Sequence, residues 1–282
     1  PGQLGDSIRR IEAAEKTLGT ALYADDLYFD GMLLGSAVRS AYPRARVLAI
    51  DTSAAKAVPG VVAVFTSEDV PGDKKIGHLV SDYDVMIPVG RITHFLGDAI
   101  ALVVAENAEA LAAGKAAVRV DYEPLAPILS PEESRREGAE HVHEDRDNLL
   151  SYQFVKRGNA EESIRSSAHV VTNHYSVPFT DHAFLEPECA VALPEGAGVR
   201  VYSADQGIYQ TQKECAHLLG LPLENVRVSA MMVGGGFGGK EDMSVQHHAA
   251  LAAWLLKRPV KVKFSRADSI LVHPKRHAME ME

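Results

Sequence analysis

Gly234-Gly235-Gly236-Phe237-Gly238-Gly239-Lys240-Glu241 is the stretch on which the reading of this chain turns. Five of its eight residues are glycine, so the backbone can reach φ > 0 and come close to a ligand. Ordering such a segment costs more conformational entropy than ordering ordinary residues, and a use for the close approach is expected. On one side Val226–Met231 is predicted as a strand running into the loop. On the other, Met243–Lys257 is predicted as a helix leaving it. Three chemistries use a strand, a glycine loop and a helix in this order, and glycine spacing alone does not choose among them.

As a phosphate loop, Gly234-x-x-x-x-Gly239-Lys240 has the right spacing, but Glu241 stands where a Ser or Thr hydroxyl is wanted for magnesium. A carboxylate there repels an anionic ligand. As a dinucleotide fingerprint, Gly234-x-Gly236-x-x-Gly239 fits, and an NAD-binding dehydrogenase is one alternative. The acidic residue should then close the next strand about twenty residues on. Val260–Phe264 ends instead in Ser265-Arg266, and Asp268 lies 29 residues beyond the last glycine.

The remaining chain divides into two α/β-patterned regions. From Gly19 to Tyr122, strands are predicted at Met32–Val38, Val47–Asp51, Val61–Phe65, Ile100–Val104 and Val118–Tyr122. Helices are predicted at Thr52–Val58, which Pro59-Gly60 ends, and at Asn107–Val118. Glu123–Asn159 reads as a solvated linker, with three prolines and the charge run Glu132–Glu137. His141 and His143 in it are a weak metal pair. The second region holds predicted strands at His169–Val177, Cys189–Leu193 and Val199–Ser203, and a helix at Tyr209–Leu219 stopped by Gly220.

The chain has 282 residues, of which 46% are hydrophobic, enough for one large domain or two ordinary ones. A net charge of −9 with interspersed signs offers nucleic acid and anionic membranes little attraction. No apolar run reaches the length of a membrane span, and no secretory signal opens the chain. Pro1 suggests a trimmed or processed start. Two cysteines, Cys189 and Cys215, make no disulfide framework and fit a cytoplasmic setting. They are too few for an iron–sulfur cluster.

The loop with its neighbours resembles the large molybdopterin subunit of the xanthine oxidase family, the molybdenum hydroxylases. The residues that carry the resemblance are Gln206, Gln210-Thr211-Gln212, Met232–Glu241, Phe184-Leu185-Glu186-Pro187 with Cys189, Arg258-Pro259-Val260 and Arg276-His277. Ala24-Asp25-Asp26 and Val120–Leu125 resemble the ends of that family's hammerhead domain. The resemblance runs in order along nearly the whole chain. It implies a mixed α/β (α+β) fold with a lead-in at 1–18, a hammerhead-type domain at 19–125 and a linker at 126–167. The start of a molybdopterin-binding domain would follow at 168–282.

By the same resemblance the chemistry is hydroxylation of an N-heterocycle or aldehyde with oxygen from water. Molybdenum is held by the pterin dithiolene, so no protein metal ligand is needed. Gly235, Gly236, Phe237 and Gly238 would approach the cofactor, Gln206 would hydrogen-bond the apical oxo group, and Phe237 would stack on a planar substrate. Glu241 matches the position that faces the heterocycle in purine-oxidising members, and its carboxyl pKa would be raised in an apolar pocket. That favours a purine-like ring over an aldehyde; capping of the following helix is Glu241's structural alternative. Gln206 and Glu241 are thus the catalytic candidates. Lys240 is assigned to local carbonyls or solvent, Glu186 to nearby backbone, and the adjacent His247-His248 to the core.

The family's catalytic base is a Glu near the far end of a much longer polypeptide. The isolated chain is therefore expected to hold no molybdenum and to be inactive without the C-terminal remainder. Iron–sulfur and FAD subunits would carry the electrons away. The alternative from another class is a non-catalytic assembly fragment.

Overall fold

The computed structural model of the chain describes residues 3–282. Its centre is a seven-stranded mixed sheet. The strands are β1 (Leu33–Arg39), β2 (Val61–Phe65), β3 (Ala99–Ala105), β4 (Cys189–Glu195), β5 (Gly198–Ser203), β6 (Val226–Ala230) and β7 (Val260–Lys263). They lie in the order β6-β5-β4-β7-β1-β3-β2. The parallel pairing of β1 with β7, beginning at Leu33↔Val260, joins the early strands to the late ones in one sheet. At this seam Gly35 has no Cβ, and one placed there would lie 3.0 Å from Val262 Cγ2.

The continuous apolar run Ala99–Ala105 is buried at every position, as a strand covered on both faces requires. From Ala101 to Val104 its alternate residues serve two cores. Ala101 and Val103 pack with Leu111 of α1 (Ala108–Ala117), whereas Leu102 and Val104 join the main core shared with α3 (Gln246–Leu256). Asn107 caps α1 by accepting from Ala110 N at 2.9 Å. α2 (Ile208–Leu219) ends at Gly220 with φ of 63°, the left-handed cap that glycine adopts without a Cβ penalty. α3 is buried at every position from Gln246 to Ala253, with Gln246 and two histidines in its first turn.

Three predicted elements are markedly shorter than expected. The helix predicted at Thr52–Val58 covers only Ser53–Lys56. Only Tyr175–Val177 of His169–Val177 forms a strand, paired with Met279–Met281; the preceding residues are exposed and bury no apolar face. The helix predicted from Met243 starts at Gln246, because Gln246 Oε1 accepts from the amides of Ser244 and Val245 at 2.9 and 3.0 Å. Those two bonds hold a turn ahead of the helix.

Residues 126–159 are mostly exposed but tied down. Arg44 pairs with Glu140 at 3.1 Å, Arg91 with Glu144 at 3.1 Å and Arg146 with Asp82 at 2.9 Å. His143 packs against His94, ring centroids 5.0 Å apart. Among the described residues no group of three or more His, Cys, Asp and Glu is arranged to hold a metal ion. None of their helices is long and apolar enough to cross a membrane.

Candidate functional site

β5 and β6 are adjacent and parallel, in register from Val199↔Val226 to Ser203↔Ala230. Their carboxyl ends therefore open on the same edge of the sheet, where α/β folds place ligands. The chain leaves β5 through Asp205-Gln206-Gly207 into α2, and leaves β6 into the glycine loop. The strand–helix–strand unit thus brings Gln206 beside a loop some thirty residues away in sequence.

Asp205 fixes the first turn. Its Oδ1 accepts from Gly207 N at 2.5 Å, and its Oδ2 from Thr211 Oγ1 at 2.7 Å and Gln246 Nε2 at 3.2 Å. Gln206 is then locked to the loop. Its own N–H donates to Lys240 O at 2.9 Å, and its Oε1 accepts from Gly238 N and Lys240 N, both at 3.2 Å. The carboxamide oxygen is fully engaged, which leaves the carboxamide nitrogen as the outward donor.

The loop adopts left-handed backbone at Gly235, Phe237 and Gly238, with φ of 102°, 54° and 90°. Phe237 does so without being glycine, a conformation that the surrounding structure must hold. The residue is 74% exposed, so it does not anchor the loop in the core. The N–H groups of Gly235, Gly236 and Phe237 have no acceptor among the described residues. Gly236 is the tight point: a Cβ there would stand 2.3 Å from Gln206 Oε1. Glu241 is exposed and lacks the apolar enclosure expected of it, because no side chain of these residues covers it. Nor does it cap α3, which begins five residues later.

Lys240 corrects the sequence expectation. It is one of the most buried side chains, 2% exposed, and its Nζ is 2.9 Å from Glu186 Oε2. The same carboxylate oxygen accepts from Gly234 N at 2.7 Å, and Glu186 N donates to Gly234 O. One carboxylate therefore ties the first residue of the loop to its last turn. Lys240 Nζ also lies 4.6 Å from the Phe184 ring centroid. The segment carrying Glu186 is held by Arg266, which donates to Phe184 O and Leu185 O at 2.7 and 2.9 Å. The sequence signal for this pair is only a carboxylate between Leu185 and Pro187, 54 residues from its partner.

The loop rests on His182 and Phe184. A Cβ on Gly239 would meet His182 Nδ1 at 2.8 Å and Phe184 Cε1 at 2.9 Å. Behind them His273 is buried, its Nδ1 3.2 Å from Glu188 Oε1 and its Nε2 3.4 Å from Asp181 Oδ2. Burial pushes its imidazole pKa down, against the pull of Glu188 and Asp181.

Beyond Glu241, residues Asp242–Ser244 line a cavity of about 1390 Å³ with His78, Tyr83 and the His247–His248 pair. The two histidine rings are 4.0 Å apart. Burial pushes His248 down to about 3, so the pair is neutral at ordinary pH. Burial raises Cys189 to about 12 and Cys215 further; both are free, inert thiols. The dinucleotide alternative loses its geometric basis, since six residues, the last two in a side-chain-held turn, separate Gly239 from the helix that should face a pyrophosphate.

Residues 142–282 match the molybdopterin cofactor-binding domain family, and residues 18–126 match the aldehyde oxidase and xanthine dehydrogenase a/b hammerhead domain. The chain belongs to the molybdenum hydroxylase family. It is 36% identical over 273 residues to a probable xanthine dehydrogenase subunit of Bacillus subtilis (96% of this chain, 36% of the relative). It is 33% identical over 279 residues to the nicotinate dehydrogenase large molybdopterin subunit of Eubacterium barkeri (99% and 65%). It thus spans between about a third and two thirds of these relatives. Among solved structures, the aldehyde oxidoreductase of Desulfovibrio gigas superposes with a TM-score of 0.90 at 27% identity, covering 96% of this chain and 31% of that one. Quinoline 2-oxidoreductase of Pseudomonas putida 86 gives 0.86 at 26%, covering 98% and 36%.

The family's cofactor is molybdenum held by molybdopterin, and the residues present fit such a group. Three successive N–H groups, of Gly235, Gly236 and Phe237, have no acceptor among the described residues, beside one carboxamide nitrogen without a partner, in a loop where five of eight residues lack a Cβ. Successive backbone donors of this kind suit oxygen-rich anionic groups without a formal protein charge.

Proposed function

We propose that this chain is part of the molybdopterin subunit of a xanthine dehydrogenase-type enzyme that hydroxylates a purine-like N-heterocycle with oxygen from water. Segment 19–125 serves as the hammerhead domain, 126–167 as linker, and 168–282 as part of the cofactor-binding domain. Iron–sulfur and FAD subunits are the proposed electron-carrying partners, in the cytoplasm.

The observation that carries this proposal is the donor set: the unpartnered N–H groups of Gly235, Gly236 and Phe237 beside a Gln206 carboxamide whose oxygen is already taken. Gln206 would donate its carboxamide N–H to an oxygen of the bound cofactor. Gly236 leaves the space that lets it do so, and Gly238 contributes by fixing Gln206. The bound cofactor supplies oxygen transfer and accepts the electrons. The Phe237 ring, held outward, takes one face of a planar substrate. Glu241, exposed and unpaired at the end of the same loop, accepts from a ring N–H or, when protonated, donates to a ring nitrogen.

The complete enzyme, given hypoxanthine in ¹⁸O-labelled water with an artificial electron acceptor, is expected to yield product carrying one label for each carbon hydroxylated. Unlabelled product, or turnover of aldehydes alone, contradicts the proposal. Aldehyde oxidation is the second reading, supported by the fold shared with the Desulfovibrio gigas enzyme.

A further inference from the structure

We infer that Glu186 and Lys240 are positioning residues for the reaction, a strap that sets where the Gln206 carboxamide points. Neither reaches the open face of the loop. Lys240 is 2% exposed, and the Glu186 side chain is 14% exposed. What they share is a single carboxylate oxygen that accepts from Gly234 N at 2.7 Å and from Lys240 Nζ at 2.9 Å. The loop leaves Glu186 at Gly234 and returns to it at Lys240.

The consequence passes to Gln206 through the Lys240 backbone. Lys240 N donates to Gln206 Oε1 at 3.2 Å, and Lys240 O accepts from Gln206 N at 2.9 Å. Wherever the Lys240 side chain is drawn, both ends of Gln206 follow. The strap is also rigid. A Cβ on Gly234 would fall 2.5 Å from Glu186 Cβ, so the two chains touch without slack. Phe184 supplies a ring face for the ammonium at 4.6 Å, and Arg266 pins the backbone at Phe184 and Leu185.

A buried ion pair is not by itself strong evidence of stabilisation, since two apolar residues often serve a core as well. Three bonds converge here on the two ends of one loop. Charge and geometry can therefore be separated by mutation. Glu186→Gln leaves Lys240 buried without its anion, while the double variant Glu186→Gln/Lys240→Met buries no unpaired charge. If the strap only stabilises, the double variant behaves as wild type. If it positions Gln206, restoring neutrality does not restore the reaction, because nothing draws residue 240 to residue 186.

This depends on Gln206 facing the cofactor as proposed above. The experiment compares wild type, Glu186→Gln and the double variant in the complete enzyme. It measures molybdenum content, kcat and KM per molybdenum, the electron paramagnetic resonance signal of the partly reduced metal, and hydrogen exchange of the peptide spanning residues 232–241. The expected result for the double variant is a wild-type melting temperature, KM within about twofold, kcat lowered at least tenfold per molybdenum, and an altered resonance signal. Loop amides are expected to exchange at least tenfold faster in both variants. Wild-type kcat per molybdenum and an unchanged signal in the double variant overturn the inference, as does unchanged loop exchange. Absence of molybdenum from the wild-type complex would instead overturn the cofactor proposal, and loop exchange still reports on the strap.

Discussion

Lys240 Nζ lies 2.9 Å from Glu186 Oε2, inside a site where the lysine side chain is 1% exposed. Removing the carboxylate leaves a buried ammonium with an aromatic face but no anion. Breaking one side of such a pair costs about 3–5 kcal/mol. Glu186→Ala is expected to lose that much in denaturant unfolding, and the double replacement Glu186→Gln/Lys240→Met to unfold as wild type does. Equal losses would show that charge burial is not what the pair resolves.

Gly236→Ala tests the close approach. Its Cβ would sit 2.3 Å from Gln206 Oε1, so the carboxamide must turn away and release the amides of Gly238 and Lys240. Loss of one positioned donor typically lowers kcat by roughly 10²–10³-fold. A loss of that size per molybdenum is expected, with unfolding free energy lowered by less than about 2 kcal/mol. Steady-state kinetics alongside thermal unfolding separate the two effects.

How far the sequence reaches depends on the kind of signal. β3 and α1 are legible because seven apolar residues in a row and an Asn-capped Ala-rich segment each have one comfortable structure. The loop is legible as a close approach, and Gln206 comes with it through resemblance. Lys240 is misleading because a lysine beside glycines ordinarily faces solvent, and its partner lies across the fold. Glu241 is expected in an apolar pocket and is exposed, since enclosure depends on what packs over a residue and not on its neighbours in sequence. The turn at Ser244-Val245 is hidden because a Gln at a helix start gives no sign of bonding backward to the preceding amides.

The histidines of α3 give the stability a pH dependence. His248 is held neutral down to about 3 against an ordinary value of 6.5, and His247 is also lowered; burial is the chief cause for both. Arg39 opposes a charge on either, and Val85 O favours one on His248. Below pH 6.5 the unfolded chain therefore binds protons that the folded chain refuses. The His248 contribution is complete above pH 6.5 and is lost as pH falls toward 3, at about 1.4 kcal/mol per pH unit; that of His247 runs in the same direction. Unfolding free energies from pH 7 to 5 should show a shallower slope in His248→Gln than in wild type. Identical slopes would exclude His248 as a source.

Leu102 lies at the middle of β3 with no exposure, in the core shared with α3. Leu102→Ala is expected to cost about 2–5 kcal/mol through lost burial and the cavity left behind. The site residues make no contribution to that loss, so activity per folded molecule should persist at low temperature.

Glu241 ends the loop, and the proposed function gives it the choice of substrate. A hydrogen bond between a heterocycle and a charged group is worth about 1.5–3 kcal/mol, a tenfold to hundredfold effect. An aldehyde offers it no ring nitrogen. The deciding measurement is kcat/KM of the complete enzyme for hypoxanthine and for benzaldehyde, in wild type and Glu241→Ala. The expected result is a wild-type preference for hypoxanthine that falls at least tenfold in the variant, through the heterocycle alone. A ratio unchanged by the substitution, or a wild-type preference for the aldehyde, would contradict the account.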